Sequence, residues 1–255
     1  MGTDRQNGSL YTNITGKVAT VEFGHPASNS FVIEMLERFA DEIHKLSDND
    51  TISVIVLKSE GDRAFCGGAS FDELVAISNL EEGKVFFSGF AKVINAMREC
   101  KKVIVGRVQG KTVGGGVGLA AACDYVFASE AASIRLSELS IGIAPLVIAP
   151  AVARKIGTAA LCEMSLAPTE WKSAYWAQEK GLFSKVFDDI KELDKELDFF
   201  ADKLSDYNPD ALAEWKAVLW EGTSHWDTLL TERAAITGKL VLSEFTKNAL
   251  SKFKK

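Results

Sequence analysis

The chain has 255 residues, 47% of them hydrophobic and 25% charged, enough to bury a large core. Its net charge of −6 argues against a nucleic-acid binder, because neutralising phosphates takes clustered Lys and Arg. The four cysteines form no CxxC pair and the histidines are scattered, so no metal site is expected. Residues 1–8 carry no apolar leader and no run is long enough to span a membrane, which reads as a soluble, cytoplasmic protein.

Tyr11 to Phe23 reads as a hairpin turning at Gly16-Lys17. After a loop, Phe31, Ile33, Leu36, Phe39, Ile43 and Leu46 recur at helical spacing, with Asn29 or Ser30 placed to cap. Ile52 to Lys58 is a nearly continuous β-branched run, the pattern of a strand covered on both faces. Gly67-Gly68 then leads into Ser70 and Glu73, a capping-box pattern at a helix start. Residues 81–99 have a helical apolar stripe.

Val103 to Val108 reads as a strand, followed by Gly114-Gly115-Gly116 and a helix of small residues. Short strands are expected at 124–128, 133–136 and 186–187, and helices at 147–156, 158–166 and 169–181, with Gly157 stopping the first of these helices. From about residue 190 the pattern is helical throughout, over 192–204, 209–220, 226–238 and 243–253. Repeated strand–turn–helix units indicate an α/β core with largely parallel strands over 1–190, and the composition shift sets off a helical region over 191–255. That region holds large apolar residues such as Phe199, Trp215 and Trp226. It is expected to pack across the first region or against another subunit.

The glycine triplet lies between a strand and a helix start. Helix starts expose N–H groups without intrahelical partners, and the absence of Cβ lets another molecule approach that backbone. It is either a site for negative charge or a close-packing turn.

Three stretches occur in order: Phe65-Cys66-Gly67-Gly68-Ala69, Gly114-Gly115-Gly116, and Ser137-Glu138-Leu139 followed by Gly142-Ile143-Ala144-Pro145. Together they resemble the enoyl-CoA hydratase/isomerase (crotonase) family over nearly the whole chain. The Gly116-Val117-Gly118-Leu119 form, with Leu136-Ser137-Glu138 and Ala144-Pro145-Leu146-Val147-Ile148-Ala149-Pro150, is similar to bacterial methylglutaconyl-CoA-hydratase-like members. The resemblance implies a crotonase-like ββα spiral with a C-terminal α-helical trimerisation region, assembled as a homotrimer or homohexamer. It implies an acyl-CoA thioester substrate, with coenzyme A part of the substrate and no other cofactor. The backbone N–H groups of Ala69 and Gly115 take the positions of an oxyanion hole, and Glu138 that of a catalytic acid/base. Two preorganised donors stabilise a thioester enolate, each typically worth about 3–4 kcal/mol.

By the same resemblance, Cys66 and Gly67 match backbone that contacts the adenine, and Ser28 and Phe31 the entry of the pantetheine and acyl chain. Phe71, Leu74 and Ile77 are candidates for an acyl wall, and Lys216 and Lys254 for phosphate partners. The chain departs from the family pattern at Gly118, where two-glutamate hydratases carry a second carboxylate. It also has Ser70 where many relatives have Asp, and Ser137 where Pro is frequent. Hydration of a short or branched 2-enoyl-CoA through Glu138 is the first expectation. Double-bond isomerisation with Glu138 as the single shuttle, or acyl-CoA binding without turnover, are the alternatives.

Overall fold

The computed structural model describes residues 8–252. Its apolar strands pair into a six-stranded sheet, order β1 (Ser9–Thr15), β2 (Val18–Gly24), β3 (Val54–Ser59), β5 (Val103–Val108), β7 (Tyr125–Ser129) and β10 (Lys185–Phe187). Only β1 and β2 are antiparallel; every other pair in this sheet is parallel. A second, smaller sheet orders β4 (Ala64–Cys66), β6 (Lys111–Val113), β8 (Ser133–Arg135) and β9 (Lys172–Ser173).

The chain alternates between the sheets. β3 feeds β4, β5 feeds β6 and β7 feeds β8, and each pair ends in helix before the next begins. The result is a spiral of ββα turns. Of the two- and three-residue strands of the small sheet, β8 matches the strand expected at 133–136, whereas β4, β6 and β9 carry too little pattern to be read from sequence.

Alternation along the long strands explains their β-branched runs. Ile55, Leu57, Ile104, Val126 and Ala128 face the main core, under α1 (Ile33–Ser47) and α3 (Leu80–Glu99). Val54, Val56, Val105 and Phe127 face the other way, onto Leu193, Leu197 and Ala201 of α7 (Ile190–Ser205). The first helix of the C-terminal stretch therefore covers the large sheet, and α9 (Trp226–Leu240) lies along α3.

Two local expectations are corrected. Neither Asn29 nor Ser30 caps α1: its N-cap is Val32, and the Ile33 N–H donates instead to Glu73 Oε2 at 2.8 Å. Asn29 is engaged elsewhere, as its amide donates to the carbonyls of Glu60 and Ala64 at 2.8 and 2.9 Å. Lys216, on α8 (Pro209–Leu219), is not placed to meet a phosphate. Its side chain is 2% exposed and pairs with Asp124 at 2.9 Å, while its Nζ donates to the Lys102 carbonyl at 2.8 Å. Trp220 Nε1 donates to the same carboxylate at 2.9 Å, so a buried ion pair fastens α8 to the spiral. The other phosphate candidate, Lys254, lies outside the described residues.

Removing one partner of a buried pair strands the other charge. Lys216→Ala is expected to destabilise the fold by about 3–5 kcal/mol, read as a lower urea midpoint.

Candidate active site

The two glycine-bearing turns meet through the small sheet. Parallel pairing of β4 with β6 ends both strands at the same level. Gly68 then lies against the next turn: a Cβ built on it would sit 3.0 Å from the Val113 carbonyl oxygen and 3.7 Å from Gly115 N. Phe31 bridges the first turn in parallel register, its N–H donating to Gly68 O at 2.8 Å and its carbonyl accepting from Ser70 N at 2.7 Å. Those bonds use the groups on either side of Ala69 and leave the Ala69 N–H on the opposite edge.

The second turn is held by β8, since Gly114 N donates to Arg135 O at 2.9 Å. Gly114 caps α4 (Gly115–Ala122) at φ 53° and ψ −117°, a conformation that L side chains rarely adopt. Gly115 is the first helical residue, so its N–H has no intrahelical acceptor. Neither Ala69 N nor Gly115 N donates to a backbone acceptor among the described residues.

Both turns open onto a cavity of about 200 Å³. Its walls are Phe71 and Leu74 of α2 (Phe71–Ala76), Phe86, Phe87 and Phe90 of α3, Ile143 to Pro145, Val147 and Ile148, with Thr237 of α9 at its edge. A second cavity, of about 390 Å³, is lined by His25, Ser28, Lys111, Asp72 and Trp171 among others. Gly67, Ala69, Phe71 and Val113 line both, so Ala69 sits at the junction, while Gly115 lines the apolar cavity alone. Across Trp171, the Arg135 guanidinium lies 4.4 Å and the Lys111 ammonium 5.3 Å from the ring centroid.

Glu138 opens a short 3-10 helix, Glu138–Ile141, directly after β8, and lines the apolar cavity. Its carboxyl rests over Gly114, where an added Cβ would come within 2.8 Å of Oε1. Oε2 is buried with no hydrogen-bond partner among the described residues. Burial pushes the carboxyl up to about 7; its own backbone N–H and the charge of Arg135 pull it down by less. A carboxyl titrating near neutrality can both take and return a proton.

The motif residues divide in their placement. Ala69, Gly115, Glu138, Gly67, Phe71 and Leu74 converge on the apolar cavity, and Ser28 lines the second. Phe31 does not reach either cavity wall: it is 1% exposed in a ring cluster with Phe23, Phe39 and Phe90, and acts on the site through its bridge to Ala69. Cys66 is fully buried against Gly116, and burial pushes its thiol up to about 12. Gly118 is also buried, behind Ile148, and Ile77 lines a neighbouring groove instead.

Sequence reasoning missed three residues that shape the site. Phe90 was legible only as part of a helical stripe, yet its ring packs on Gly115. Asn29 pins the loop whose Ser28 carbonyl accepts from Gly67 N at 2.8 Å. Ile148 lies in the 144–150 stretch that carries the sub-family resemblance, but nothing in that stretch marks its contact with Gly118. For none of the three does residue type alone signal the role.

Residues 13–252 match the family model for enoyl-CoA hydratase/isomerase. A peroxisomal Delta(3,5)-Delta(2,4)-dienoyl-CoA isomerase of Arabidopsis thaliana is 28% identical, over 75% of this chain and 72% of that protein. A probable enoyl-CoA hydratase of Bacillus subtilis (strain 168) is 25% identical, over 92% of each. The fold matches the crystal structure of an enoyl-CoA hydratase from Bacillus halodurans with a TM-score of 0.88, at 20% identity, over 95% of this chain and 99% of that one. The architecture is thus a crotonase-type ββα spiral with C-terminal helices. The chain belongs to the enoyl-CoA hydratase/isomerase family.

A Glu138 base is active when ionised, so kcat/KM is expected to fall as pH drops through about 7. The same carboxyl binds its proton more tightly folded than unfolded. Its contribution to stability is therefore full below about pH 4.5 and is lost as pH rises through about 7. Glu138→Gln escapes that loss. It is expected to raise stability at pH 8 by roughly 1–3 kcal/mol and to leave it unchanged at pH 4.5, measured by urea unfolding at both values.

Proposed function

We propose that the protein isomerises the double bond of an enoyl-CoA thioester, with Glu138 as its single proton shuttle. The observation that carries this reading is the lone carboxyl. Among the described residues Glu138 is the only ionisable side chain lining the apolar cavity, and position 118 holds glycine with Ile148 packed against it.

The chemistry follows from the arrangement. With the thioester at the junction, its acyl group occupies the apolar cavity and the pantetheine arm leaves through the second. The Glu138 carboxylate takes a proton from the α-carbon of a 3-enoyl thioester, and the C–H electron pair moves onto the thioester oxygen as a dienolate. The Ala69 and Gly115 N–H groups stabilise that oxygen. The protonated Glu138 returns the proton to the γ-carbon, the double bond shifts to the 2-position, and no water is consumed. One carboxyl suffices for this sequence, and the similarity to a dienoyl-CoA isomerase supports it.

The lining also supports a neutral acyl chain over the carboxylated methylglutaconyl group. Among the described residues no Lys, Arg or His lines the acyl cavity, so a terminal carboxylate there is desolvated without a partner and faces Glu138. Hydration is the second reading. It is favoured by the Ser137 side chain beside Glu138 on the cavity wall, a polar residue next to which a water can sit, and by the similarity to a probable hydratase.

Incubation with neutral 3-enoyl-CoA thioesters and, in parallel, with their 2-enoyl isomers, followed by mass detection, separates the readings. Isomerisation leaves the mass unchanged and creates the conjugated thioester chromophore; hydration adds the mass of water. The expected result is the conjugated product, lost by about 10³-fold or more in Glu138→Gln. A hydrated product as the main outcome sinks the isomerase reading. Exposed Trp215, Val218, Leu219 and Ile236 on the C-terminal helices support assembly into a homotrimer or homohexamer, which sedimentation equilibrium is expected to register.

A further inference from the structure

Residues 118 and 148 compete for one space. A Cβ built on Gly118 would lie 2.4 Å from Ile148 Cγ2 and 2.6 Å from Ile148 Cβ. Ile148 is 3% exposed and sits at the N-cap of α5 (Ala149–Leu166), where the Ala149 N–H donates to Pro145 O at 3.0 Å. A β-branched side chain on a fixed backbone has few rotamers in which to move aside.

Gly114, the N-cap of α4, and Gly118, whose N–H donates to the Gly114 carbonyl at 3.3 Å, are covered by Glu138 and Ile148 respectively. Glu138 and Ile148 both line the acyl cavity. A buried water needs two to four polar partners. Apart from Glu138, the polar side chains lining this cavity are Ser137 and Thr237, and the Thr237 hydroxyl already donates to Arg233 O at 2.9 Å.

We propose that Ile148 determines which reaction the site performs. Its side chain fills the space beside Glu138 in which an attacking water would be held, so that the proton on Glu138 returns to carbon. This rests on the isomerase reading. It adds that the outcome is set by an apolar residue that displaces water, and not only by the absence of a carboxylate at 118.

The test compares the wild type with Ile148→Ala and Ile148→Val on a neutral 3-enoyl-CoA and its 2-enoyl isomer in ¹⁸O-labelled water. Isomerised and labelled hydrated products are quantified by mass. Ile148→Ala is expected to raise the ratio of hydrated to isomerised product at least about tenfold, a change of ~1.4 kcal/mol in relative barriers, with Ile148→Val in between. Both rates falling together at an unchanged ratio would overturn the proposal, because a purely structural role lowers them in common. A wild type that mainly hydrates sinks the isomerase reading instead; the proposal then fails separately if the ratio does not rise in Ile148→Ala.

Should Ile148→Ala fold poorly, Gly118→Ala tests the shared space through stability. It is expected to be destabilising in the wild type, equally so beside Ile148→Val, which keeps both contacting carbons, and less so beside Ile148→Ala, which removes the nearer one, Cγ2. Additive effects across the cycle with Ile148→Ala show that the two residues do not compete, and overturn the proposal.

Discussion

The site depends on the lack of side-chain volume along one short helix. At each of four glycines at the start of α4, the place of the missing Cβ is taken by a different part of the chain. Glu138 rests on Gly114, Phe90 on Gly115, Cys66 on Gly116 and Ile148 on Gly118. The 3-10 helix, α3, β4 and the entry to α5 are thereby drawn onto one axis. Larger residues there would push these elements apart before any chemistry was affected. Close packing of this kind transmits displacement because it leaves no slack.

That crowding also sets the electrostatics. With apolar groups on most sides, the Glu138 carboxyl has little water to stabilise its charge, and its affinity for a proton rises. Its own backbone N–H and the charge of Arg135 offset this only in part. In the proposed reaction the Ala69 and Gly115 N–H groups would act elsewhere, where charge develops on the thioester oxygen.

Much of this was legible in the amino-acid order, for identifiable reasons. Strands β3 and β5 were readable because they are buried on both faces, which forces runs of Val, Ile and Leu. The motif residues Ala69, Gly115 and Glu138 are adjacent to glycine turns, and the structure brings them to a single cavity. The failures arise where a side chain's partner is remote in sequence. Asn29 looked like a helix cap but bonds carbonyls 31 and 35 residues away. Lys216 looked like a surface charge but pairs with Asp124 across the fold. Ile148 carries no local mark of its contact with Gly118, because that contact is created by the spiral itself.

Thr237 of α9 forms part of the cavity wall, although Ala69 and Gly115 lie in the first half of the chain. This has a consequence for biosynthesis. A growing chain can complete the spiral and its two glycine turns while the acyl cavity still lacks the part of its lining that Thr237 supplies. The cavity closes only after α9 has left the ribosome and settled along α3. A product truncated before that helix retains the residues that resemble a catalytic centre, but not an enclosed, water-poor chamber for them to act in.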